Sequence, residues 1–204
     1  SDEHQKSKRG RFRDMDMDLL QKHSIDLYWD DETTQSTYLF PLSHSEILMS
    51  ESSKLVAALP PNRVYTLGPY SMADSPESHI GSFKHALDFL VPVATPVYAV
   101  ADGVIMEIKE HCERWGDGPE FRDYLNYLTV KHGNGEFSQY CHLQKNSVST
   151  RKLKVGDHVR VGQEITETGM SGWMDGPHLH FIVYRHDINP QNPFGFKSLK
   201  VCFK

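Results

Sequence analysis

From about residue 64 onward, the chain is a series of short segments rich in β-branched and aromatic residues, separated by Gly, Pro, Asn and Asp. Segments of this composition favour β-strands, and the residues between them favour tight turns. Short strands at such even spacing predict a sandwich or a barrel. The predicted strands cover residues 86–93, 96–100, 103–108, 124–131, 137–143 and 179–184.

Two segments within this region repeat one pattern. Residues 93–104 and 153–165 each read as strand, Gly/Asp turn, strand, and the second has the form V-G-D-x-V-x-x-G-Q. That form is typical of barrel-sandwich hybrid folds, in which a Gly-Asp turn lets the chain reverse tightly. We therefore predict a mainly β protein with a barrel-sandwich hybrid-type antiparallel core. Biotinyl and lipoyl carrier domains share the form, but a Met-Lys-Met-like attachment segment is missing.

Residues 1–65 differ from the rest, and we predict that they form an N-terminal, part-helical extension to a domain covering residues 66–204. Residues 15–22 and 45–59 have helical patterns, and Pro60 and Pro61 would end the second helix. The extension is expected either to pack on the main domain or to cover its cleft.

Composition narrows the classes of partner. Apolar residues make up 38% and charged residues 24%, as in folded globular proteins. The net charge of -5 and the lack of a basic run argue against nucleic acid. No stretch reaches the roughly 18 apolar residues needed for a transmembrane helix. Residues 1–13 lack the apolar core of a signal peptide, and the first residue is Ser, which is compatible with an export signal removed upstream.

The cysteines and the histidines point to different conclusions. Cys112, Cys141 and Cys202 form no C-x-x-C pair, which argues against a cysteine zinc site or a redox motif. The sequence contains twelve histidines, and three segments place a histidine at a predicted strand. These segments contain the candidate functional residues.

The first segment is G-P-H-L-H-F, which leads into the strand 179–184. Residues two apart on a strand project from the same face, about 6.6 Å apart. His178 and His180 are therefore predicted to face one space, where both could bind a metal or one could bind while the other acts on substrate. An edge strand with two solvated histidines is the alternative.

The second segment places Asp88 between Leu87 and Phe89. A carboxylate inside an apolar run is costly to bury unless a cation or hydrogen bonds meet it. A metal with His79 as a further ligand would serve, and so would an Arg partner or a hydrogen-bonded core position. His85 is nearer in sequence and is the alternative histidine.

The third segment is Q-Y-C-H-L, in which His142 follows a predicted strand. Taken alone, this histidine fits a structural role. Taken with the other two segments, it predicts that three histidine-bearing strands converge on one cleft.

In four motifs that occur in order, residues 79–184 resemble the lysostaphin-type (LytM-like) zinc metallopeptidases. The motifs are H-x-G…A-L-D-F, V-P-x-x-T-P-V-x-A-x-x-D-G-V, N-Y-L-T-V-K-H-G-N-G…Y-C-H-L and V-G-D-x-V-x-x-G-Q…T-G-M-S-G…G-P-H-L-H-F. Any one of the four is weak evidence, whereas all four in sequence are specific.

The resemblance implies the site. It places one zinc ion per chain on His79, Asp88 and His180, and it makes His142 and His178 the active-site histidines that do not bind the metal. Many members of the family separate the first histidine and the aspartate by four residues, whereas nine separate them here. A longer variant of the motif also occurs, and it favours His79 over His85.

The resemblance also implies the function: a zinc-dependent endopeptidase, exported to the periplasm or the cell surface, that hydrolyses stem peptides or cross-links of peptidoglycan. The alternative is an inactive member that binds or activates another cell-wall hydrolase. Three ligands leave a fourth zinc position for water. Since no H-E-x-x-H motif supplies a base, His178 is the candidate base and His142 the candidate stabiliser of the oxyanion, and the two roles could be exchanged.

Regions around this site supply further expectations. Residues 115–119 and 170–175 are expected to line a narrow groove, and the insert 110–122 is expected to shape specificity. Within the extension, His23, Asp30 or His44 could reach the metal, although structural packing is the favoured alternative. The sequence leaves the oligomeric state open.

Overall fold

The computed structural model describes residues 36–43, 64–67, 70–73, 75 and 78–203. Within them the strands, numbered β1 to β15 in chain order, are Ser36–Tyr38, Val64–Leu67, Tyr70–Ala73, Leu87–Phe89, Pro96–Tyr98, Gly103–Lys109, Trp115–Gly116, Tyr127–His132, Phe137–Cys141, His158–Val159, Glu164–Glu167, Gly172–Trp173, Leu179–His186, Phe196–Ser198 and Val201–Phe203. One short α-helix, α1, covers Ser147–Thr150, and 3-10 helices cover Gly81–Phe83 and Pro119–Tyr124. The predicted mainly β fold is confirmed.

The largest sheet has nine strands, and every pair in it is antiparallel. Its order is β10-β6-β8-β9-β13-β4-β3-β2, with β14 also pairing with β13. Strand β13 therefore lies near the middle, between β9 and β4. This order places the ends of β4, β9 and β13, which carry the candidate residues, side by side.

The two segments that share a pattern pair with each other. Strand β5 of the first pairs with β11 of the second, with Tyr98 opposite Glu164. Strand β10 of the second pairs with β6 of the first, with Val104 opposite His158. The repeat in sequence thus corresponds to two strand-turn-strand units that pair reciprocally.

Four predicted strands are shorter in the structure, namely those at residues 86–93, 96–100, 124–131 and 137–143. Strand β8 begins at Tyr127 rather than at residue 124, because Pro119–Tyr124 forms a 3-10 helix. Strand β4 ends at Phe89, before Pro92, which has no N–H to donate, and before Ala94, which turns the chain at φ 64°.

Alternate residues of β13 face opposite sides of the sheet, one towards the main core and the other towards the candidate site. Leu179, Phe181 and Val183 are buried in the main hydrophobic cluster, where they meet residues of β4, β8 and β9. The neighbouring residues on the other face include His180 and, just before the strand, His178. This is the two-residue period of a β-strand, and it fixes the two histidines on one side of the sheet.

Residues 36–43 belong to the predicted extension, and they pack into the main core. Tyr38 and Leu42 are buried in the main cluster, and β1 pairs in parallel with β15. The predicted helices at 15–22 and 45–59, together with His23, Asp30 and His44, lie outside the described residues. The predicted boundary near residue 65 stays a prediction.

Two further findings concern the described residues. In the part of the chain that the structure describes, no helix has the length and apolar character needed to cross a membrane. Cys112, Cys141 and Cys202 are free thiols.

Candidate metal centre

Strands β4 and β13 bring Asp88 and His180 together. The two residues are direct partners in the antiparallel register, so their side chains leave the sheet on the same face. His180 Nδ1 lies 2.8 Å from Asp88 Oδ1. Asp88 is only 4% exposed, which places its carboxylate in a site that water barely reaches.

His79 approaches the same point from the loop before the first 3-10 helix. Its backbone N–H donates to the carbonyl of Ser75 at 2.7 Å, which fixes the loop. Its Nε2 lies 3.3 Å from Asp88 Oδ2 and 3.4 Å from His180 Nδ1. Potential donor atoms of three residues therefore converge from two strands and one loop.

The spacing of these donor atoms, which include both oxygens of Asp88, fits a zinc ion. Zinc–ligand bonds of about 2.0–2.1 Å at tetrahedral angles place neighbouring donor atoms about 3.3 Å apart. The observed separations of 2.8, 3.3 and 3.4 Å are close to that value. In the described part of the chain, these three residues are the group of His, Cys, Asp and Glu side chains compact enough to hold a metal. Two imidazoles and one carboxylate are also a donor set that suits zinc.

The charge of Asp88 is favoured by its neighbours. Burial by itself would raise the pKa of this carboxyl group, but the facing His178, His79 and His180 lower it well below its usual range. Ser75 adds a hydrogen bond from its hydroxyl to Asp88 Oδ2 at 2.6 Å. The residue is therefore a carboxylate at neutral pH, the form that a metal ligand requires.

His142 and His178 stand beside this group as a pair, with ring centroids 4.5 Å apart. His142 Nδ1 lies 2.7 Å from the carbonyl oxygen of Ser171, and His178 Nδ1 lies 2.9 Å from that of Gly176. A carbonyl oxygen only accepts, so in both rings Nδ1 carries the proton. In the neutral form, each Nε2 then has a free lone pair that can accept a proton.

The backbone at His142 is unusual. This residue follows β9 and adopts φ 62°, a left-handed conformation that is costly for a non-glycine residue. Its carbonyl accepts a hydrogen bond from Gly169 at 2.8 Å, which holds the conformation. Burial lowers the pKa of the His142 imidazole well below its usual range, and His178 and His180 lower it further. Its ring is therefore neutral around pH 7.

The structure brings all five histidine and aspartate residues of the predicted site into one cluster. The alternative His85 is not part of the metal-sized group: its backbone N–H donates to Ser198, and it follows the 3-10 helix instead of facing Asp88. That the cluster binds metal and acts on substrate stays a prediction.

Three residues near the site were not singled out individually from the sequence: Ser75, Asn126 and Ser171, of which Ser171 lies in the predicted groove loop 170–175. Asn126 and Ser171 stand within quoted motifs, in N-Y-L-T-V and T-G-M-S-G, which is the signal that could have identified them. Ser75 has no comparable signal.

The two predicted groove loops meet beside this cluster. Strand β7 pairs in parallel with β12, with Trp115 opposite Gly172 and Gly116 opposite Trp173. The guanidinium of Arg114 lies over the ring of Tyr124, 4.3 Å from its centroid, and so connects the insert to the residue at the end of the second 3-10 helix. The loop that ends in β12 also carries the Ser171 carbonyl, which accepts a hydrogen bond from His142. This loop therefore contacts both the insert and the site.

The fold and this histidine–aspartate cluster are those of a metallopeptidase domain. Residues 82–193, more than half of the chain, match peptidase family M23, and the chain belongs to that family. The resemblance inferred from the motifs is thereby confirmed. The matched region begins after His79, so the place of this residue in the site depends on the geometry.

Three curated relatives are similar to part of the chain. An uncharacterised metalloprotease of Buchnera aphidicola is 33% identical over 65% of this chain and 29% of its own length. The peptidoglycan DD-endopeptidase ShyA of Vibrio cholerae is 36% identical over 50% of this chain and 21% of its own. The glycyl-glycine endopeptidase ALE-1 of Staphylococcus capitis is 36% identical over 57% of this chain and 27% of its own length. The chain thus spans less than a third of the length of these relatives.

Proposed function

We propose that this chain is a zinc-dependent endopeptidase, exported to the periplasm or cell surface, that hydrolyses peptide bonds in peptidoglycan. One observation carries the proposal: His79 Nε2, the Asp88 carboxylate and His180 Nδ1 form a triangle of zinc-ligand size beside two histidines, His142 and His178, that are each held at Nδ1. Membership of family M23 and the names of two relatives support the substrate class.

Three residues would hold one zinc ion, namely His79, Asp88 and His180. Bound there, zinc supplies Lewis acidity that polarises the scissile carbonyl and brings the pKa of a water molecule to about 7. The second oxygen of Asp88 receives the Ser75 hydroxyl, which orients the carboxylate towards the two imidazoles.

The pair His142 and His178 would move the proton. Each ring is held by a carbonyl at Nδ1, which leaves its Nε2 to accept the proton of the attacking water. The protonated imidazole can then donate to the leaving amine or to the developing oxyanion. Alanine variants of His142 and His178 would divide these roles between the two rings.

The first test is zinc content by elemental analysis of the purified chain and of His180→Ala. About one zinc per chain in the wild type, lost in the variant, is expected. No zinc in the wild type after reconstitution at neutral pH, where imidazoles are deprotonated, would overturn the metal assignment.

The second test is digestion of two purified peptidoglycans, one cross-linked through D-amino acids and one through glycine bridges. Release of soluble peptides from at least one, abolished in His180→Ala, is expected. A zinc-loaded chain that binds both without cleaving either would instead support the inactive family member that acts through another hydrolase.

A further inference from the structure

Asn126 lies directly before β8, is fully buried, and has a hydrogen-bond partner for each of its polar groups. Its side-chain amide donates to the carbonyls of Cys112 at 2.8 Å and Leu143 at 3.1 Å, and its side-chain oxygen accepts from the Cys112 N–H at 3.0 Å. Its backbone N–H donates to Ser171 Oγ at 3.1 Å, and its backbone carbonyl accepts from Leu143 N–H at 3.3 Å. One residue thus connects three separate segments.

Ser171 carries this network to His142. Its hydroxyl accepts a hydrogen bond from the Asn126 N–H and donates one to the Leu143 carbonyl at 3.2 Å. These two bonds fix the orientation of the side chain. Its backbone carbonyl accepts the Nδ1–H of His142 at 2.7 Å. Ser171 is fully buried, so water does not replace these bonds.

The loop that carries Ser171 has little room to move. Gly172 has φ 86°, and a Cβ there would lie 2.9 Å from the Cα of Leu125. A Cβ on Gly169 would lie 2.5 Å from the backbone of Gln144. The loop is therefore in close contact with the residues that precede β8 and follow His142, and only glycine permits this approach.

From these contacts we propose that Asn126 and Ser171 are positioning residues, which set the tautomer and the ring orientation of His142. The Ser171 carbonyl selects the Nδ1–H form, and the hydroxyl holds that carbonyl in place through Asn126 and Leu143. If the carbonyl moved, the ring could take the Nε2–H form, whose Nε2 cannot accept a proton. Through Cys112, the same network ties the orientation of His142 to the insert 110–122.

The alternative is that the network only stabilises the fold. Both roles would lower the free energy of unfolding, because removal of a buried hydrogen-bonding group costs about 1–3 kcal/mol. Only a positioning role changes the protonation pattern of one ring in a chain that is still folded. The test therefore needs a matched variant that loses a similar amount of stability at a position outside this network.

Ser147 offers that control. Its buried hydroxyl lies 2.6 Å from Thr166 Oγ1, and no bond of its side chain reaches the Asn126 network. Ser171→Ala and Ser147→Ala each remove one buried hydroxyl, and Ser171→Ala retains the carbonyl that binds His142. Unfolding of both variants in urea would show whether their losses of stability are comparable.

The decisive measurement is the side-chain ¹⁵N spectrum of the zinc-loaded full chain, in which the two ring nitrogens of a histidine report its tautomer. A His142→Ala sample identifies the His142 signals. We expect the Nδ1–H pattern in the wild type and in Ser147→Ala, and an averaged or Nε2–H pattern in Ser171→Ala. An unchanged Nδ1–H pattern in Ser171→Ala would overturn the proposal.

Kinetics give a second measurement, which depends on the proposed function. With the cleaved peptidoglycan, Ser171→Ala is expected to lower kcat by about tenfold or more while KM stays within about twofold, because a misplaced catalytic group affects the chemical step. Equal losses of kcat in Ser171→Ala and Ser147→Ala would mean that the network has only a structural role. The tautomer can be measured without turnover. The ¹⁵N spectra would therefore test the positioning role even if the chain had no peptidase activity.

Asn126→Ala provides an independent variant. It removes the side-chain bonds to Cys112 and Leu143 and leaves both backbone bonds, to Leu143 and to Ser171, so a smaller shift of the His142 pattern is expected. A folded Asn126→Ala chain with wild-type signals would remove Asn126 from the proposal, and Ser171→Ala decides the outcome if that chain does not fold.

Discussion

Asp88 Oδ1 and His180 Nδ1 lie 2.8 Å apart because their residues are register partners on β4 and β13. Two of the three proposed ligands are therefore positioned by the backbone hydrogen bonds of a central sheet. His79 comes from a loop and is held by Ser75, whose hydroxyl also meets Asp88. The site is thus rigid on one side and depends on a loop on the other.

Replacement of Asp88 by Asn should weaken zinc binding. The amide keeps the shape of the side chain but loses the negative charge that the three facing histidines favour. We expect an affinity loss of at least about 100-fold, beyond the range for loss of an outer-sphere partner. Competition with a chromophoric chelator would measure it. Asp157→Asn, which changes a carboxylate in the turn before β10, should bind zinc as the wild type does.

A pair of alanine variants separates the two candidate histidines upstream of Asp88. His79 Nε2 lies 3.3 Å from Asp88 Oδ2, whereas His85 is outside the metal-sized group. His79→Ala should lose zinc and peptidase activity, and His85→Ala should keep both within about twofold. Zinc loss in His85→Ala with retention in His79→Ala would reverse the assignment of the ligand.

A second pair of variants addresses the proton-transfer residues. His142→Ala and His178→Ala should each keep about one zinc per chain, because neither residue belongs to the ligand triangle. Each should lower kcat by about 10²- to 10⁴-fold, the usual contribution of general acid–base catalysis. The histidine whose loss is the more severe is then the principal base. If kcat is undiminished in one variant, the histidine replaced in it has no role in proton transfer.

The strands and the shared face of His178 and His180 could be predicted because their signals are local, whereas the choice of ligands came from the family resemblance. Alternation along residues 179–184 determines which side chains share a face, so His178 and His180 could be assigned to one side of β13 from the sequence alone. The apolar neighbours of Asp88 likewise indicate a buried carboxylate. Both features depend on residues within a few positions of each other.

The supporting contacts could not be predicted because they connect distant residues. Asn126 binds Cys112, Leu143 and Ser171, which are 14, 17 and 45 positions away. The left-handed backbone at His142 is accompanied by a hydrogen bond from Gly169 to its carbonyl, and no sequence pattern indicates it. Such contacts emerge only when the sheet order is known.

A pH-dependent contribution to stability is expected from Glu136, at the point where β1 joins the domain. This fully buried carboxylate accepts hydrogen bonds from Tyr38, from Ser36 at 2.7 Å and from Arg185 at 2.7 Å. Burial would raise its pKa, but the bonds from Tyr38 and Ser36, together with the nearby Arg185, lower it below the usual value. The folded state therefore favours the charged form.

The sign of the effect follows from the lowered pKa. Glu136 stabilises the folded chain above its unfolded pKa of about 4.3, and this contribution is lost as the pH falls through the lower folded value. Glu136→Gln should lower the free energy of unfolding by about 1–3 kcal/mol at pH 7, a difference that narrows below about pH 4.3. Urea unfolding at several pH values would measure it, with the exposed Glu107→Gln as the control. A difference that grew at low pH would contradict the assignment.

The wall formed by β7 and β12 should contribute to substrate binding. Trp173 is partly buried, lies two residues after Ser171 and is the register partner of Gly116, so it belongs to the strand pair that joins the insert to the loop carrying Ser171. Loss of an aromatic contact worth about 1–2 kcal/mol corresponds to a rise in KM of roughly 5- to 30-fold. We expect Trp173→Ala to show this rise on the cleaved peptidoglycan while zinc content and kcat change little. Tyr124→Phe, which keeps the ring beneath Arg114, is the control for disturbance of the insert. An unchanged KM in Trp173→Ala would mean that the substrate does not contact this wall, whereas a loss of kcat without a change in KM would place Trp173 with Ser171 among the supports of His142.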